Sequence, residues 1–169
     1  RQMCIRDRFV MLIDIGKGVL AAGVIPSIEL PVAASDPQVS RTWLTLSCAA
    51  AAVIGHVWPM WHKFRGGKGA ATLIGTIGVL SPGLIIPAVA VWLLVLTLTG
   101  YVGLSTMAAS ISAPVYLAVN QWPEAQALII FYSLMSGFMI FTHRSNILRM
   151  RPGTETFNTR LMLFGRRNS

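Results

Sequence analysis

The residues best able to do chemistry form three groups, each beside an apolar segment. The first is a basic, glycine-rich run at residues 63–72, which reads Lys-Phe-Arg-Gly-Gly-Lys-Gly-Ala-Ala-Thr. Glycines let backbone N–H groups approach an anion closely, and a helix that begins after Gly69 directs its positive end to the same place. Lys68 adds a full positive charge. Together with Gly66 and Gly67, these residues have the composition of a phosphate cradle.

This run is not the P-loop of nucleoside triphosphatases. Gly69 follows Lys68 where a P-loop has Ser or Thr, and His62 occupies the position of the leading glycine. Nucleotide triphosphate hydrolysis is therefore disfavoured. The same residues are also typical of a flexible basic turn on the cytoplasmic side of a membrane protein. Residue types alone leave both interpretations open.

The second group contains His143, Arg144 and Asn146, with Glu155 a short distance downstream. On a helix, His143 and Asn146 share a face because they are three residues apart. Such a pair is suited to an anionic ligand that carries hydroxyl groups. The alternative is a solvated helix leaving the membrane, whose Arg side chains extend toward the headgroups.

The third group is Asp14, Lys17 and Gly18, within an apolar stretch near the start of the chain. An ionisable residue in a bilayer costs about 2.5 to 3.5 kcal/mol, so Asp14 and Lys17 are expected to pair at the bundle interior or its inner mouth. A purely structural ion pair would have the same sequence pattern.

Ser105 and Thr106 supply hydroxyl groups at the inner end of another apolar segment, where small polar residues also suit helix packing.

The composition shows which elements must position these groups. Of 169 residues, 54% are apolar and 12% are charged, against roughly 25% charged in soluble domains. Between residues 69 and 142 the only charged residue is Glu124. The net charge of +8 would suggest nucleic-acid binding in a soluble protein, but here basic residues cluster beside apolar segments, as in cytoplasmic loops. We predict an all-α integral membrane helix bundle in a lipid bilayer, with no nucleic-acid partner.

The chain has room for about six transmembrane segments at roughly 20 residues each. The predicted segments are residues 9–24, 42–58, 70–80, 84–99, 101–119 and 124–142. The third is short, or partly re-entrant, because Gly75 and Gly78 interrupt it. Residues 27–40 form an external loop. We predict one transmembrane domain over residues 9–155 and a basic cytoplasmic tail at 156–169.

Taken together, the motifs resemble those of the bacterial acyl-phosphate:glycerol-3-phosphate acyltransferase (PlsY) family. The resemblance covers roughly residues 9–155, in matching order and spacing. It rests on Asp14-x-x-Lys17-Gly18, on Gly55-His56-x-x-Pro59, on the run that ends Lys68-Gly69-Ala70-Ala71-Thr72, and on His143-Arg144-x-Asn146-Ile147 followed by Gly153-x-Glu155.

The resemblance implies a seven-span inner-membrane enzyme whose active site faces the cytoplasm. It would transfer a fatty acyl group from acyl phosphate to the first hydroxyl of sn-glycerol 3-phosphate, giving lysophosphatidic acid and phosphate. It implies no cofactor, no metal and no catalytic side chain, because a substrate phosphate oxygen would accept the hydroxyl proton.

The resemblance also implies roles for individual residues. Lys68, His143 and Asn146 would bind glycerol 3-phosphate. The backbone of residues 66–69, with Ser105 or Thr106, would lie near the acyl phosphate. Supporting positions would be Asp14, Lys17, Gly18, Gly55, His56, Thr72, Arg144 and Glu155.

The start of the chain departs from the family pattern. The family carries an earlier span and a first cytoplasmic loop whose serine and arginine help to bind the acceptor, whereas residues 1–8 match nothing in the family. We therefore expect a truncated or misassembled gene end, and poor lysophosphatidate formation by this chain. Two alternatives are an inactive fragment and an organic-phosphate transporter. A transporter should show polar residues through the membrane depth, but residues 84–99 and 124–142 are nearly all apolar.

The charge pattern predicts that the loop at residues 60–69 and the C-terminal tail both lie inside the cell. Cysteines placed at Arg65 and Arg166 should therefore resist an impermeant thiol reagent in intact cells and react after permeabilisation. Strong labelling of both positions in intact cells would contradict this topology.

Overall fold

The computed structural model describes residues 2–28 and 41–156, and every regular element in that part of the chain is helical. The α-helices are α1 Gln2–Val19, α2 Arg41–Val57, α3 Ala70–Leu80, α4 Ile85–Thr99, α5 Val102–Asn120, α6 Gln126–Thr142 and α7 Arg144–Met150. This confirms the all-α prediction, and a helix is present at each of the six predicted segments. Most of the predicted external loop and all but the first residue of the predicted tail lie outside the described residues.

The first helix differs from the prediction at both ends. It begins at Gln2 rather than near Phe9, and it does not stop before Pro26. After Val19 the chain continues as a π-helical turn, Leu20–Val24, and then as a 3-10 turn, Ile25–Ser27. Pro26 is tolerated because it lies in the first turn of the 3-10 segment, where a missing N–H breaks no helical hydrogen bond. The apolar stretch therefore remains helical as far as Ser27.

Three helical segments of the described chain are long and apolar enough to cross a membrane: Phe9–Ser27, Pro82–Thr99 and Val102–Asn120. A fourth is available if α6 and α7, which meet at an angle of 53°, form one broken span. The α3 helix has 11 residues and is therefore roughly 16 Å long, too short for a hydrocarbon core of about 30 Å. The short third segment is thus confirmed, while six crossings stay a prediction.

The chain divides into two compact units, Arg1–Ile85 and Ile86–Ser169, which we call the N-terminal and C-terminal units. In the N-terminal unit, α1 together with the turns that continue it to Ser27 runs antiparallel to α2. Near the end of the first helix, Arg41 Nη1 donates a hydrogen bond of 2.8 Å to the carbonyl oxygen of Pro26. Nearer its start, Asp14 Oδ1 lies 3.3 Å from His56 Nδ1. One domain over residues 9–155 stays a prediction.

The backbones of α1 and α3 meet at two glycines. A Cβ atom on Gly18 would overlap the carbonyl oxygen of Thr72, and one on Gly75 would overlap the carbonyl oxygen of Ile15. Thr72 and Thr76 are completely buried. Such close approach favours association of membrane helices, because lipid is as apolar as the side chains and supplies little hydrophobic driving force between them. Gly18, of the Asp14-x-x-Lys17-Gly18 motif, therefore has a packing role.

In the C-terminal unit, α5 and α6 pack side by side and share a polar contact. Ser136 Oγ donates a 2.6 Å hydrogen bond to the carbonyl oxygen of Ser110 across the two helices. Trp92 Nε1 of α4 donates to Thr106 Oγ1 of α5 at 3.3 Å. The direction of the chain changes at His143, between α6 and α7, so that Asn146 of α7 packs against Gly103 of α5.

We expect Gly18→Ala and Gly75→Ala to destabilise the protein, since each added methyl group must separate two backbones. Overpacking of this kind typically costs about 1 to 3 kcal/mol. Gly16→Ala is the matched control, because a Cβ at Gly16 meets nothing within 4 Å on the same helix. Thermal unfolding in detergent micelles measures the effect. A Gly18→Ala protein that melts at the temperature of Gly16→Ala would contradict the crossing.

Candidate functional site

A cleft of about 680 Å³ lies between α1, α2 and the loop that follows α2. One part of its wall is apolar and includes Leu20, Ile25 and Ala52. The polar part of its lining consists of Asp14, Lys17, His56, Arg65, Gly66 and Gly67. The cleft therefore offers an apolar wall and a predominantly basic polar part within one unit.

Asp14 is the centre of the polar part. Its Oδ1 atom accepts a 2.9 Å hydrogen bond from Lys17 Nζ and also lies 3.3 Å from His56 Nδ1. The Asp14 and His56 side chains are largely buried, at 13% and 12% exposure, whereas that of Lys17 is 55% exposed. The predicted pair of Asp14 and Lys17 is present. The contact with His56 was not predicted, because no local pattern relates residues so distant in sequence.

The glycine-rich loop has a defined, hydrogen-bonded conformation. The Gly66 N–H donates to the carbonyl oxygen of Val57 at 3.1 Å, and the Phe64 N–H donates to that of Pro59 at 3.1 Å. A Cβ atom on Gly66 would overlap the His56 carbonyl oxygen and lie 2.6 Å from Pro59 Cδ. The glycine at this position is thus required by contact with the end of α2.

The α3 helix begins directly after Gly69, as predicted. Gly69 has a φ of 86°, a left-handed conformation that favours glycine, and its carbonyl oxygen accepts the first helical bond from Leu73 at 2.9 Å. No side chain caps this N-terminus. The first-turn N–H groups lack intrahelical acceptors and carry the positive end of the helix dipole. Thr72 Oγ1 in that turn is buried without a hydrogen-bond partner in the described structure. Lys68, just before the helix, is exposed.

A buried polar cluster occupies the end of the C-terminal unit. Asn146 Nδ2 donates a 2.6 Å hydrogen bond to Glu155 Oε1, and Arg149 Nε donates a 2.5 Å bond to Glu155 Oε2. Asn146 and Glu155 are only 6% and 8% exposed. A buried carboxylate needs such charge-assisted partners. Glu155 therefore holds both Asn146 and Arg149, and its supporting role at a ligand site stays a prediction.

His143 lies at the bend that joins α6 to α7 and is 3% exposed. Its Nδ1 atom is 2.8 Å from the carbonyl oxygen of Met139. Because a carbonyl oxygen only accepts, Nδ1 carries a hydrogen and donates it. This contact sets the ring orientation and the tautomer, with the hydrogen on Nδ1. A residue four positions earlier on the same helix thus orients the candidate ligand-binding histidine.

Two of the predicted hydroxyl groups are engaged within their own helix. Ser105 Oγ donates to the carbonyl oxygen of Tyr101 and Thr106 Oγ1 to that of Val102, both at 2.9 Å. Neither hydroxyl proton is directed to a ligand in this structure. Their expected position near acyl phosphate stays a prediction.

Arg144 lies on the surface at the end of α6. Its guanidinium lies 4.4 Å from the centroid of the Phe141 ring, and its Nη1 donates to the Phe141 carbonyl oxygen at 3.1 Å. These contacts agree with the interpretation of Arg144 as part of a helix end leaving the membrane. Gly55 lines the cleft, and a Cβ atom there would meet nothing within 4 Å.

The predicted site residues therefore fall into two sets. The N-terminal unit holds Asp14, Lys17, Gly18, Gly55, His56, Gly66, Gly67, Lys68, Gly69 and Thr72. The C-terminal unit holds Ser105, Thr106, His143, Arg144, Asn146 and Glu155. That both sets act on the same substrates stays a prediction. Within residues 2–28 and 41–156, no three His, Cys, Asp or Glu side chains are placed to hold a metal ion.

Comparison with known proteins identifies the family and the fold of the chain. Residues 8–153 match the family model described as glycerol-3-phosphate acyltransferase. The chain is 34% identical over 157 residues to a glycerol-3-phosphate acyltransferase of Salinibacter ruber, a match covering 86% of this chain and 67% of the relative. It is 32% identical over 180 residues to one of Chlorobaculum parvum, covering 94% and 76%.

Two solved structures share the fold. The glycerol 3-phosphate form of PlsY (YgiH), an integral membrane glycerol 3-phosphate acyltransferase, superposes with a TM-score of 0.72 at 31% identity, covering 92% of this chain and 73% of that one. Its lysophosphatidic acid form gives 0.71 at 30% identity, covering 88% and 70%. The helical fold and these matches define a polytopic membrane acyltransferase. The chain belongs to the glycerol-3-phosphate acyltransferase (PlsY) family.

We expect Glu155→Gln to weaken glycerol 3-phosphate binding more than it weakens the fold. Glutamine has one acceptor oxygen, which Arg149 takes, so its amide group must face Asn146 and force the Asn146 amide to rotate. Loss of a charge-assisted bond is worth about 1.5 to 3 kcal/mol, so KM for glycerol 3-phosphate should rise by roughly tenfold or more. Glu124→Gln, at the other and exposed acidic residue of this unit, is the control. Equal KM values in the two variants would contradict the assigned role of Glu155.

Proposed function

We propose that this membrane glycerol-3-phosphate acyltransferase uses acyl phosphate as the donor and the sn-1 hydroxyl of glycerol 3-phosphate as the acceptor. The products are lysophosphatidic acid and inorganic phosphate, and the enzyme works at the cytoplasmic face of a bacterial inner membrane. The observation that carries the proposal is the uncapped N-terminus of α3, which follows Lys68 directly.

The N-terminal unit has the chemistry that an acyl phosphate requires. A phosphate group can accept hydrogen bonds from the free N–H groups at Gly69 and the first turn of α3, and it gains further from the charge of Lys68. The cleft that reaches Gly66 and Gly67 has an apolar wall at Leu20 and Ile25, which suits a fatty acyl chain. Both features support an amphipathic phosphorylated donor.

The C-terminal unit has side chains suited to a small polar acceptor. Asn146 is held by Glu155, and the ring orientation of His143 is set by the Met139 carbonyl oxygen. We assign these two residues of the C-terminal unit to binding glycerol 3-phosphate. Their burial supports this role, because hydrogen bonds to an anion are stronger where water is scarce.

The reaction needs no protein base. The sn-1 hydroxyl oxygen attacks the acyl carbonyl carbon, the bond from that carbon to the phosphate oxygen breaks, and phosphate leaves. A phosphate oxygen accepts the hydroxyl proton, so atoms and charges balance. Acyl phosphate is already activated, so the protein contributes orientation and stabilises phosphate charge with N–H groups and cations.

The distribution of charge supports a cytoplasmic site. Lys63, Arg65 and Lys68 lie in one loop, and Arg144, Arg149 and Arg151 follow the last long helix. Loops rich in Lys and Arg beside membrane spans remain on the cytoplasmic side. Glycerol 3-phosphate, as a charged metabolite, would then reach the site from the cytoplasm.

In a full-length version of the protein, which carries the first family span and loop ahead of Phe9, Lys68→Ala should abolish most lysophosphatidate formation from palmitoyl phosphate and glycerol 3-phosphate. The neutral residues of the loop cannot replace a cation that contacts phosphate, and the expected loss is on the order of a hundredfold in kcat/KM, equivalent to about 2.7 kcal/mol. Lys63→Asn is the control, because it removes a charge from the same loop and tolerates the φ of 53° at that position.

Two outcomes would contradict the proposal. One is a near-normal rate in Lys68→Ala protein that remains folded, as judged by its melting temperature. The other is lysophosphatidate formation by the unaltered chain from palmitoyl-CoA but not from palmitoyl phosphate.

A further inference from the structure

We propose that His56, held by Asp14, is a positioning residue that fixes the Gly66–Gly67 segment for binding of the acyl donor. The inference rests on the proposed function in one respect, that the glycine-rich loop binds the donor. Every contact that it uses lies within the N-terminal unit.

The Asp14 contact sets the orientation of the His56 ring. Oδ1 of Asp14 lies 3.3 Å from Nδ1 of His56, and both side chains are largely buried. A carboxylate repels the lone pairs of other acceptors and attracts N–H groups and cations, so this contact favours the ring orientation in which Nδ1 lies beside Asp14. The acceptor belongs to α1 while the ring belongs to α2, so the ring orientation depends on how these two helices pack.

The other edge of the ring contacts Gly67. A Cβ atom on Gly67 would overlap His56 Nε2, and it would lie 3.0 Å from Cε1 and 3.2 Å from Cδ2. Only glycine fits at this position while the imidazole is present. The neighbouring Gly66 N–H bonds to the carbonyl oxygen of Val57, the residue after His56. Two consecutive residues of α2 therefore hold two consecutive residues of the loop.

This contact affects the donor end because the chain continues directly from Gly67 to Lys68 and Gly69, where α3 begins. A displacement of Gly67 is passed to the Lys68 charge and to the free N–H groups of α3. A misplacement of 1 Å can reduce a rate by about a hundredfold. The effect should fall on the donor, because the residues assigned to the acceptor in the C-terminal unit make none of these contacts.

The test compares the KM values for palmitoyl phosphate and for glycerol 3-phosphate in four variants. His56→Ala and Asp14→Leu should raise the KM for palmitoyl phosphate at least tenfold and leave that for glycerol 3-phosphate within twofold. Asp14→Asn should give a smaller rise, because it keeps a polar side chain of the same size beside Nδ1 and loses only the charge. Arg41→Gln is the matched control: it removes a hydrogen bond to the Pro26 carbonyl oxygen that involves neither Asp14, His56 nor the glycine-rich loop, and it should leave both KM values within twofold.

A second measurement does not depend on activity. Gly67→Ala should lower the melting temperature, because its methyl group displaces the His56 ring, and the double variant His56→Ala/Gly67→Ala should recover most of that loss. If the change in melting temperature of the double variant equals the sum of the changes in the two single variants, His56 and Gly67 are not in contact and the proposal fails.

Three activity outcomes would also overturn it: equal changes in both KM values, a fall in kcat with unchanged KM values, or a rise in donor KM in Arg41→Gln equal to that in His56→Ala. An enzyme that accepts only palmitoyl-CoA would refute the acyl-phosphate proposal, and the same KM comparison made with palmitoyl-CoA would still decide the role of His56. Inactivity with both donors in a protein extended ahead of Phe9 by a family first span and loop would refute the donor role, while a coupled melting cycle would still establish the contact itself.

Discussion

The close approach of the α1 and α3 backbones at Gly18 and Gly75 is the constraint on which the N-terminal unit depends. The space that a side chain at Gly18 would need is occupied by the carbonyl oxygen of Thr72, in the first turn of α3. This crossing therefore sets the start of α3 one helical turn from Asp14. A bulkier pair would move the uncapped N-terminus of α3 away from Asp14, the carboxylate beside His56.

The glycine-rich loop is under two physical requirements at once. Packing demands glycine at Gly66 and Gly67, because the end of α2 and the His56 ring leave no space for a Cβ atom. Backbone geometry demands it at Gly69, whose φ of 86° lies in the left-handed region. The same absence of side chains leaves backbone N–H groups open to an anion. A substitution of a glycine in this loop consequently alters both the fold and ligand binding. The kinetic constants of glycine variants must therefore be interpreted together with their melting temperatures.

The helices could be predicted from the sequence because long apolar runs and the glycines and prolines between them are local signals. The short α3, the start of that helix after Gly69 and the pair of Asp14 and Lys17 all follow from such signals. The continuation of the first helix past Pro26 could not be predicted from local signals, because it depends on a change from α-helical to π-helical and 3-10 geometry. The partners of His56 and Gly67 are tertiary contacts that no spacing rule reveals. The acceptors of the Ser105 and Thr106 hydroxyl protons, which are backbone carbonyl oxygens four residues earlier, likewise could not be read from the residue types.

Both largely buried carboxylates of the described chain act through a neighbouring donor. Asp14 orients His56, and Glu155 holds Asn146 and Arg149. Direct contact of either carboxylate with a phosphorylated substrate would be repulsive, and in a poorly solvated site that repulsion is weakly screened. A carboxylate paired with a hydrogen-bond donor has the reverse effect, because it fixes the orientation of a group that can face an anion. An enzyme with two anionic substrates can therefore keep acidic residues beside its site, provided that each one is neutralised by the donor that it positions.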